Sequence, residues 1–157
     1  MHLSKLDVLQ VRNLKSVQIA CHPGANIIYG ANGSGKTSLL ESIYLLGRGR
    51  SFKHRDLRVV VNNDADELVV SARIERSTSG TSHQLGIKRT TKGRFEARLD
   101  GNSLQSAVQL VEELPLQLID AHSFTLLEGG ALQRRQFLDW GVFHVEHEYR
   151  ALWRRFQ

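Results

Sequence analysis

The stretch that most constrains this 157-residue chain is Gly30-Ala31-Asn32-Gly33-Ser34-Gly35-Lys36-Thr37, eight residues in the pattern G-x-x-x-x-G-K-[ST]. Glycines at the fixed positions let the backbone curl until successive N–H groups point at one anion. A helix opening at the end of the loop adds its positive dipole end and its unpaired N–H groups. Lys36 is then placed to reach the β and γ phosphates of a nucleoside triphosphate, and the Thr37 hydroxyl to ligate Mg²⁺. With glycine at about 7% of residues, chance gives such a match in roughly one chain of this length in a few hundred. The flanks strengthen the reading. Asn26-Ile27-Ile28-Tyr29 reads as a short apolar strand feeding the loop. Residues 37–46, apolar at 39, 40, 43, 45 and 46, read as a helix that Gly47 stops. The expected ligands are ATP and Mg²⁺, held by all eight residues from Gly30 to Thr37.

Elsewhere the pattern is that of an α/β chain. Residues 5–14 alternate around Leu6, Val8, Leu9, Val11 and Leu14 and read as a strand, and residues 17–21 as a second, closed by Pro23-Gly24. Residues 67–74, 83–89 and 95–99 read as three strands with turn-rich separators, which predicts an antiparallel meander. Ser103 is the expected cap of a helix reaching about residue 114. Residues 116–119 read as a short buried strand, and from Ala131 the chain reads as helix to its end. That last pattern shows no stop signal at Gln157, so the sequence reads as part of a longer chain. The expected organisation is a nucleotide-binding lobe over 1–130 and the start of a helical arm over 131–157.

A hydrophobic content of 41% supports an ordinary core. No apolar run approaches the ~18 residues needed to span a bilayer. A single cysteine, Cys21, excludes an intramolecular disulfide and fits a reducing compartment. The expectation is a cytoplasmic protein with no membrane partner. The formal net charge of +5 permits nucleic-acid binding without diagnosing it. Its distribution says more: five cations against one acid lie between Gly47 and Val60, and seven against two between Arg73 and Arg98.

Val11-Arg12-Asn13-Leu14-Lys15-Ser16, followed by a strand, a glycine, residues 26–29 and the glycine loop, resembles the N-terminus of the SMC, Rad50 and RecF class of ABC-type ATPases. Two blocks resemble the RecF branch of that class in particular: Leu39 to Leu46 with Gly49-Arg50-Ser51-Phe52, and Ser123-Phe124 to Gly130 with Arg134-Arg135-x-Phe137-Leu138-Asp139-Trp140-Gly141. The resemblance implies an ABC-type ATPase head whose N-terminal lobe has a P-loop core, an antiparallel β subdomain and the start of a coiled arm. It implies an ATP-dependent homodimer in which two heads sandwich the nucleotide. It further implies sequence-independent binding of single-stranded or gapped DNA, RecO and RecR as partners, and support of recombinase loading and the SOS response during repair and replication. Lys15 stands where related heads carry a basic residue beside the phosphates, though lysine lacks the fork of arginine.

Two stretches imitate other parts of such heads. Leu116-Gln117-Leu118-Ile119-Asp120 has the look of a Walker B strand, but Ala121 and His122 follow where a water-activating glutamate is needed. Leu127 to Arg134 is similar to a signature motif, but Glu128 would repel the γ-phosphate that a serine should meet. With neither motif identifiable, no catalytic residue is assigned, and binding without appreciable turnover is expected of this stretch alone. Arg48, Arg50, Lys53 and Arg55 after the phosphate helix, and Lys88, Arg89, Lys92 and Arg94 around a hairpin tip, are candidate contacts to a DNA backbone, being rich in charge and poor in stacking aromatics; for the first group, nucleotide binding and a solvated loop are the alternatives. Arg134 and Arg135 suit partner contact, DNA contact or a solvated face. His144 and His147 are too sparse a set for zinc. A module using ATP only as a dimerisation switch is the main alternative, and a small-molecule P-loop kinase a more distant one.

Overall fold

The computed structural model describes residues 1–76, 80–120, 123 and 130–146. The chain divides into two compact units, Met1–Leu116 and Gln117–Gln157. The first is built on one antiparallel sheet in the order β2-β1-β3-β4-β5-β6, formed by β1 (His2–Val11), β2 (Leu14–Ala20), β3 (Glu67–Arg76), β4 (Thr81–Thr90), β5 (Phe95–Leu99) and β6 (Asn102–Ser103). The α/β class and the antiparallel meander hold, and the sheet extends further than the meander because β1 pairs with β3 from Leu9↔Val69 back to His2↔Glu75. Leu6 and Val8, then Leu68, Val70, Ala72 and Ile74, then Leu85 and Ile87 occupy one face at period two and are buried. Helix α1 (Lys36–Arg48) covers that face through Leu39, Leu45 and Leu46, and helix α2 (Ala107–Glu113) packs on α1 with Leu110 in the same core.

Several sequence readings shift. The strand expected over 5–14 breaks at Arg12-Asn13, where a two-residue turn joins Val11 to Leu14. That turn has no Asn-Gly or Gly signal, and Arg12 itself takes the left-handed φ of 54°. Because a two-residue hairpin keeps Val11 opposite Leu14, the apolar pattern runs through it unbroken. Gly47 does not stop α1. It is buried inside the helix, where a Cβ would stand 2.5 Å from Leu116 Cδ1 and 2.8 Å from the Leu114 carbonyl oxygen. The stop is Gly49, in the left-handed conformation with its N–H donating to the Leu45 carbonyl. Ser103 caps nothing, being paired with Arg98 in the sheet. Three residues on, Ser106 precedes α2, and the Gln109 side chain accepts from its N–H at 3.2 Å.

The two short apolar runs read as strands, 26–29 and 116–119, are not strands. Ile27, Tyr29 and Ile119 are 86%, 90% and 82% exposed. A strand is completed by a neighbour's N–H and C=O groups, and among the described residues none lies alongside either run. In the second unit, α3 (Ala131–Val145) begins at the expected residue, with the Phe137 and Trp140 rings stacked at 6.3 Å. It ends at Val145, and Glu146 is extended with its N–H on the Val142 carbonyl, so the helix is not continuous from 131 to the terminus. Residues 124–129, with the first three residues of the signature-like stretch, lie outside the described residues, as do His147 and residues 148–157.

Candidate nucleotide site

Between Cys21 and Gly35 the chain has no helix or strand, so the glycine loop is shaped by side chains and by its own turns. Gly30, Gly33 and Gly35 have φ of 149°, 79° and 100°. Gly35 is doubly required: its φ disfavours any side chain, and a Cβ there would stand 2.5 Å from Leu14 Cδ2. It is also the residue from which α1 starts, with no side-chain cap and no acid in the first turn. The opening N–H groups of α1 are thus left for an external anion. Lys36 folds back over the loop, its Nζ donating to the carbonyls of Gly30 at 2.7 Å and Ala31 at 2.8 Å. This holds a positive charge directly above the curled backbone. Thr37 is exposed, and no hydrogen bond of its hydroxyl is found among the described residues.

A cleft of about 420 Å³ lies over this arrangement, between Asn32, Gly33, the first turn of α1 and Lys53. Asn13 forms part of its wall and also part of the wall of a second cleft of about 500 Å³, lined by Arg12, Val59, Val61 and residues 62–64. The turn that carries Asn13 is fixed from several sides. Arg12 forms a forked pair with Glu41 on α1, Nε to Oε2 at 2.7 Å and Nη2 to Oε1 at 2.9 Å. The Glu41 side chain is fully buried and also accepts from the Ser51 hydroxyl. Burial by itself would raise the Glu41 pKa. The hydrogen bonds from Arg12 and Ser51, with the charges of Arg12 and Lys53, outweigh it and hold the carboxyl below its ordinary value. The Glu41 hydrogen bond in turn raises the Arg12 guanidinium above its ordinary value.

The structure thus gathers Gly30, Ala31, Asn32, Gly33, Ser34, Gly35, Lys36 and Thr37 at one place. Lys15 stands apart on β2, three-quarters exposed, with Nζ 3.8 Å from Asp64 at the edge of the second cleft. Lys53 joins the phosphate cleft itself. Arg48 is half-buried and donates to the Leu116 carbonyl at 2.8 Å, whereas Arg50 and Arg55 are exposed on the loop beyond α1. Around the β4–β5 hairpin, Lys88 pairs with Glu67 at 2.7 Å and Arg94 with Glu96 at 2.9 Å. Lys92 is exposed at the tip, and Arg89 is half-buried with its charge acting on Asp56. Residues 116–120 form no strand, and the Asp120 carboxylate accepts from Ser123 at 3.2 Å.

Sequence reasoning missed Arg12, Asn13 and Glu41. The available signal was Glu41, a carboxylate on the core face of an amphipathic helix beside Ser38, Ser42 and Leu45. Such a charge requires a buried partner.

The RecF/RecN/SMC N-terminal domain family matches residues 2–131. The chain belongs to this family. Among curated relatives, the "DNA replication and repair protein RecF" of Pseudomonas entomophila L48 is 50% identical over all 157 residues, and that of Pseudomonas fluorescens Pf0-1 is 51% identical. The chain spans 42% of the length of each. Among solved structures, "the recombination mediator protein RecF-ATPrS in RecFOR pathway" superposes with a TM-score of 0.82 at 27% identity, covering 94% of this chain and 40% of that one. An SMC ATPase structure with a TM-score of 0.73 at 18% identity shares the fold, covering 89% of this chain and 99% of that one. The family thus reaches from the first strand through the glycine loop to the first residue of α3, and the clefts described above lie within it.

Proposed function

We propose that this chain is the ATP-binding N-terminal part of a RecF-type protein that acts on DNA in replication and recombinational repair. The observation that carries the reading is the phosphate cleft: a curled glycine loop, an uncapped helix start and the Lys36 ammonium converge on one open space. Triphosphate oxygens would take the N–H groups at the start of α1 and draw Lys36 from the loop carbonyls, with Lys53 a second cation at the rim. The second cleft is next in line for the nucleoside, because Asn13 is common to both walls. Thr37 fits Mg²⁺, a hard cation that prefers oxygen ligands and bridges phosphates, since its hydroxyl is exposed beside the loop. Bound there, Mg²⁺ would neutralise phosphate charge.

The remainder of the proposal concerns the full-length protein. ATP would close two such heads into a homodimer, with residues 131 onward beginning the arm of each. DNA, single-stranded or gapped, would be held by its backbone through the exposed cations Arg50, Arg55 and Lys92, and binding would weaken steeply with salt. RecO and RecR as partners, recombinase loading, a part in the SOS response and a cytoplasmic location follow from likeness to RecF. Among the described residues no helix is long and apolar enough to cross a membrane.

Titration of a fluorescent ATP analogue with Mg²⁺ into wild type and Lys36→Ala tests the central claim. A loss of about 100-fold or more in the variant, with unchanged circular dichroism, is expected. Equal binding by both would sink it.

A further inference from the structure

We propose that Asn13 is the positioning residue of the phosphate loop, setting the direction of the loop backbone before any phosphate arrives. The inference rests on the phosphate-site reading above and adds a role for a residue outside the G-x-x-x-x-G-K-[ST] stretch. Asn13 Nδ2 donates to the Gly33 carbonyl at 2.9 Å, and Asn13 Oδ1 accepts from the Ser38 hydroxyl at 2.8 Å. One carboxamide thereby ties the crown of the loop to the first turn of α1. Holding the Gly33 carbonyl fixes the peptide plane it belongs to, and with it the N–H of Ser34 on the other end of that plane, which in the ligand-free loop donates to the Ala31 carbonyl at a long 3.3 Å. Anion cradles depend on the direction of such N–H groups.

The conformation of the turn supports the assignment. Arg12 is an arginine at φ 54°, an uncommon conformation for a residue with a side chain. It is maintained by independent ties: the forked pair to buried Glu41, the Arg12 N–H on the Val60 carbonyl at 2.8 Å, and the Asn62 side-chain amide on the Arg12 carbonyl. Leu14 beyond it packs where a Cβ of residue 35 would stand. The β1–β2 turn is therefore a fixed anvil under the glycine loop, and Asn13 is the side chain by which it holds the loop.

The test uses the full-length protein and two probes, MgATP and inorganic tripolyphosphate, which has no base or ribose. A residue that aims the loop matters equally to both. For Asn13→Ala, dissociation constants for both probes are expected to rise by a similar factor, at most on the order of ten, as for loss of a hydrogen-bonded tie that is part-buried at Ser38 and exposed at Gly33. The Asn13→Ala/Ser38→Ala double variant is expected to bind no more weakly than Asn13→Ala, because both remove one bridge. Amide hydrogen exchange in the ligand-free protein is expected to quicken over residues 30–37 and stay unchanged in β3 and β4. If ATP binding falls while tripolyphosphate binding does not, Asn13 contacts the nucleoside instead and the proposal is overturned. It is overturned too if neither probe is affected. Should Asn13→Ala fail to fold, Ser38→Ala alone decides: a similar rise for both probes supports the bridge, and no rise overturns it. Lys36→Ala run alongside separates the two levels, since equal binding by it and wild type would refute the phosphate site itself.

Discussion

The six-stranded sheet and the approach to the phosphate loop are written in similar residues and end in opposite states. Val70 and Ile74 on β3 are 0% and 1% exposed, while Ile27 and Tyr29, equally suited to a strand, stand open to solvent. The difference lies in the neighbours. β3 has β1 on one side and β4 on the other in register along most of its length, and α1 covers its apolar face. Residues 26–29 have no such partner among the described residues. The loop that follows is held instead by single side chains: Asn13 from below, Lys36 from above and Leu14 against Gly35. A region stabilised by a ladder tolerates the loss of any one contact. A region held by a few side chains does not.

That contrast can be broken at several points. The largest effect is expected at Arg12→Ala, which leaves the buried Glu41 carboxylate without its forked partner. Urea unfolding should show a loss of about 3 kcal/mol, the scale for breaking a buried ion pair from one side. A loss below about 1 kcal/mol would mean that the turn is not pinned through α1. Gly35→Ala should follow, at about 2 kcal/mol, because it meets both a left-handed φ and Leu14. The same variant should abolish binding of the ATP analogue, whereas a fold loss without a binding loss would detach the loop from the turn.

A graded effect is expected with pH. The folded Glu41 carboxyl titrates below its unfolded value of about 4.3, so its contribution is fully present above that pH. It is lost as pH falls through the depressed folded value. Thermal unfolding of wild type should therefore fall more steeply than that of Glu41→Gln once pH drops below about 4.3; parallel curves would place Glu41 outside the linkage. The smallest effect is expected at Ile27→Asn, within about 0.5 kcal/mol, because an exposed side chain has little burial to lose. A large loss there would show that residues 26–29 are covered in solution.

Legibility followed the same division. The meander was readable because each strand alternates and each separator contains turn residues; only the strand ends moved. Strand 5–14 was misread because the turn at Arg12-Asn13 depends on distant anchors, Glu41 at one side and residues 60–62 at the other, rather than on local turn chemistry. The stop of α1 was misplaced by two residues for a related reason: Gly47 is needed for the close approach of residues 114–116, a packing requirement invisible in the helix's own sequence. Ser103, the expected cap, is taken up by pairing with Arg98 in the sheet, and Ser106 holds the cap position instead.

The residues by themselves determined the phosphate loop, the amphipathic helix after it and the class of sheet, because glycine freedom, apolar period and turn composition are local properties. Only the tertiary structure decided which side chains serve the loop. Asn13, Glu41 and Ser38 are ordinary letters until the β1–β2 turn is folded under α1, and Lys53 becomes a phosphate-cleft cation only because the chain after Gly49 returns past that cleft. Hydrogen bonds and buried charges are satisfied by proximity in space, and that proximity comes from residues tens of positions apart.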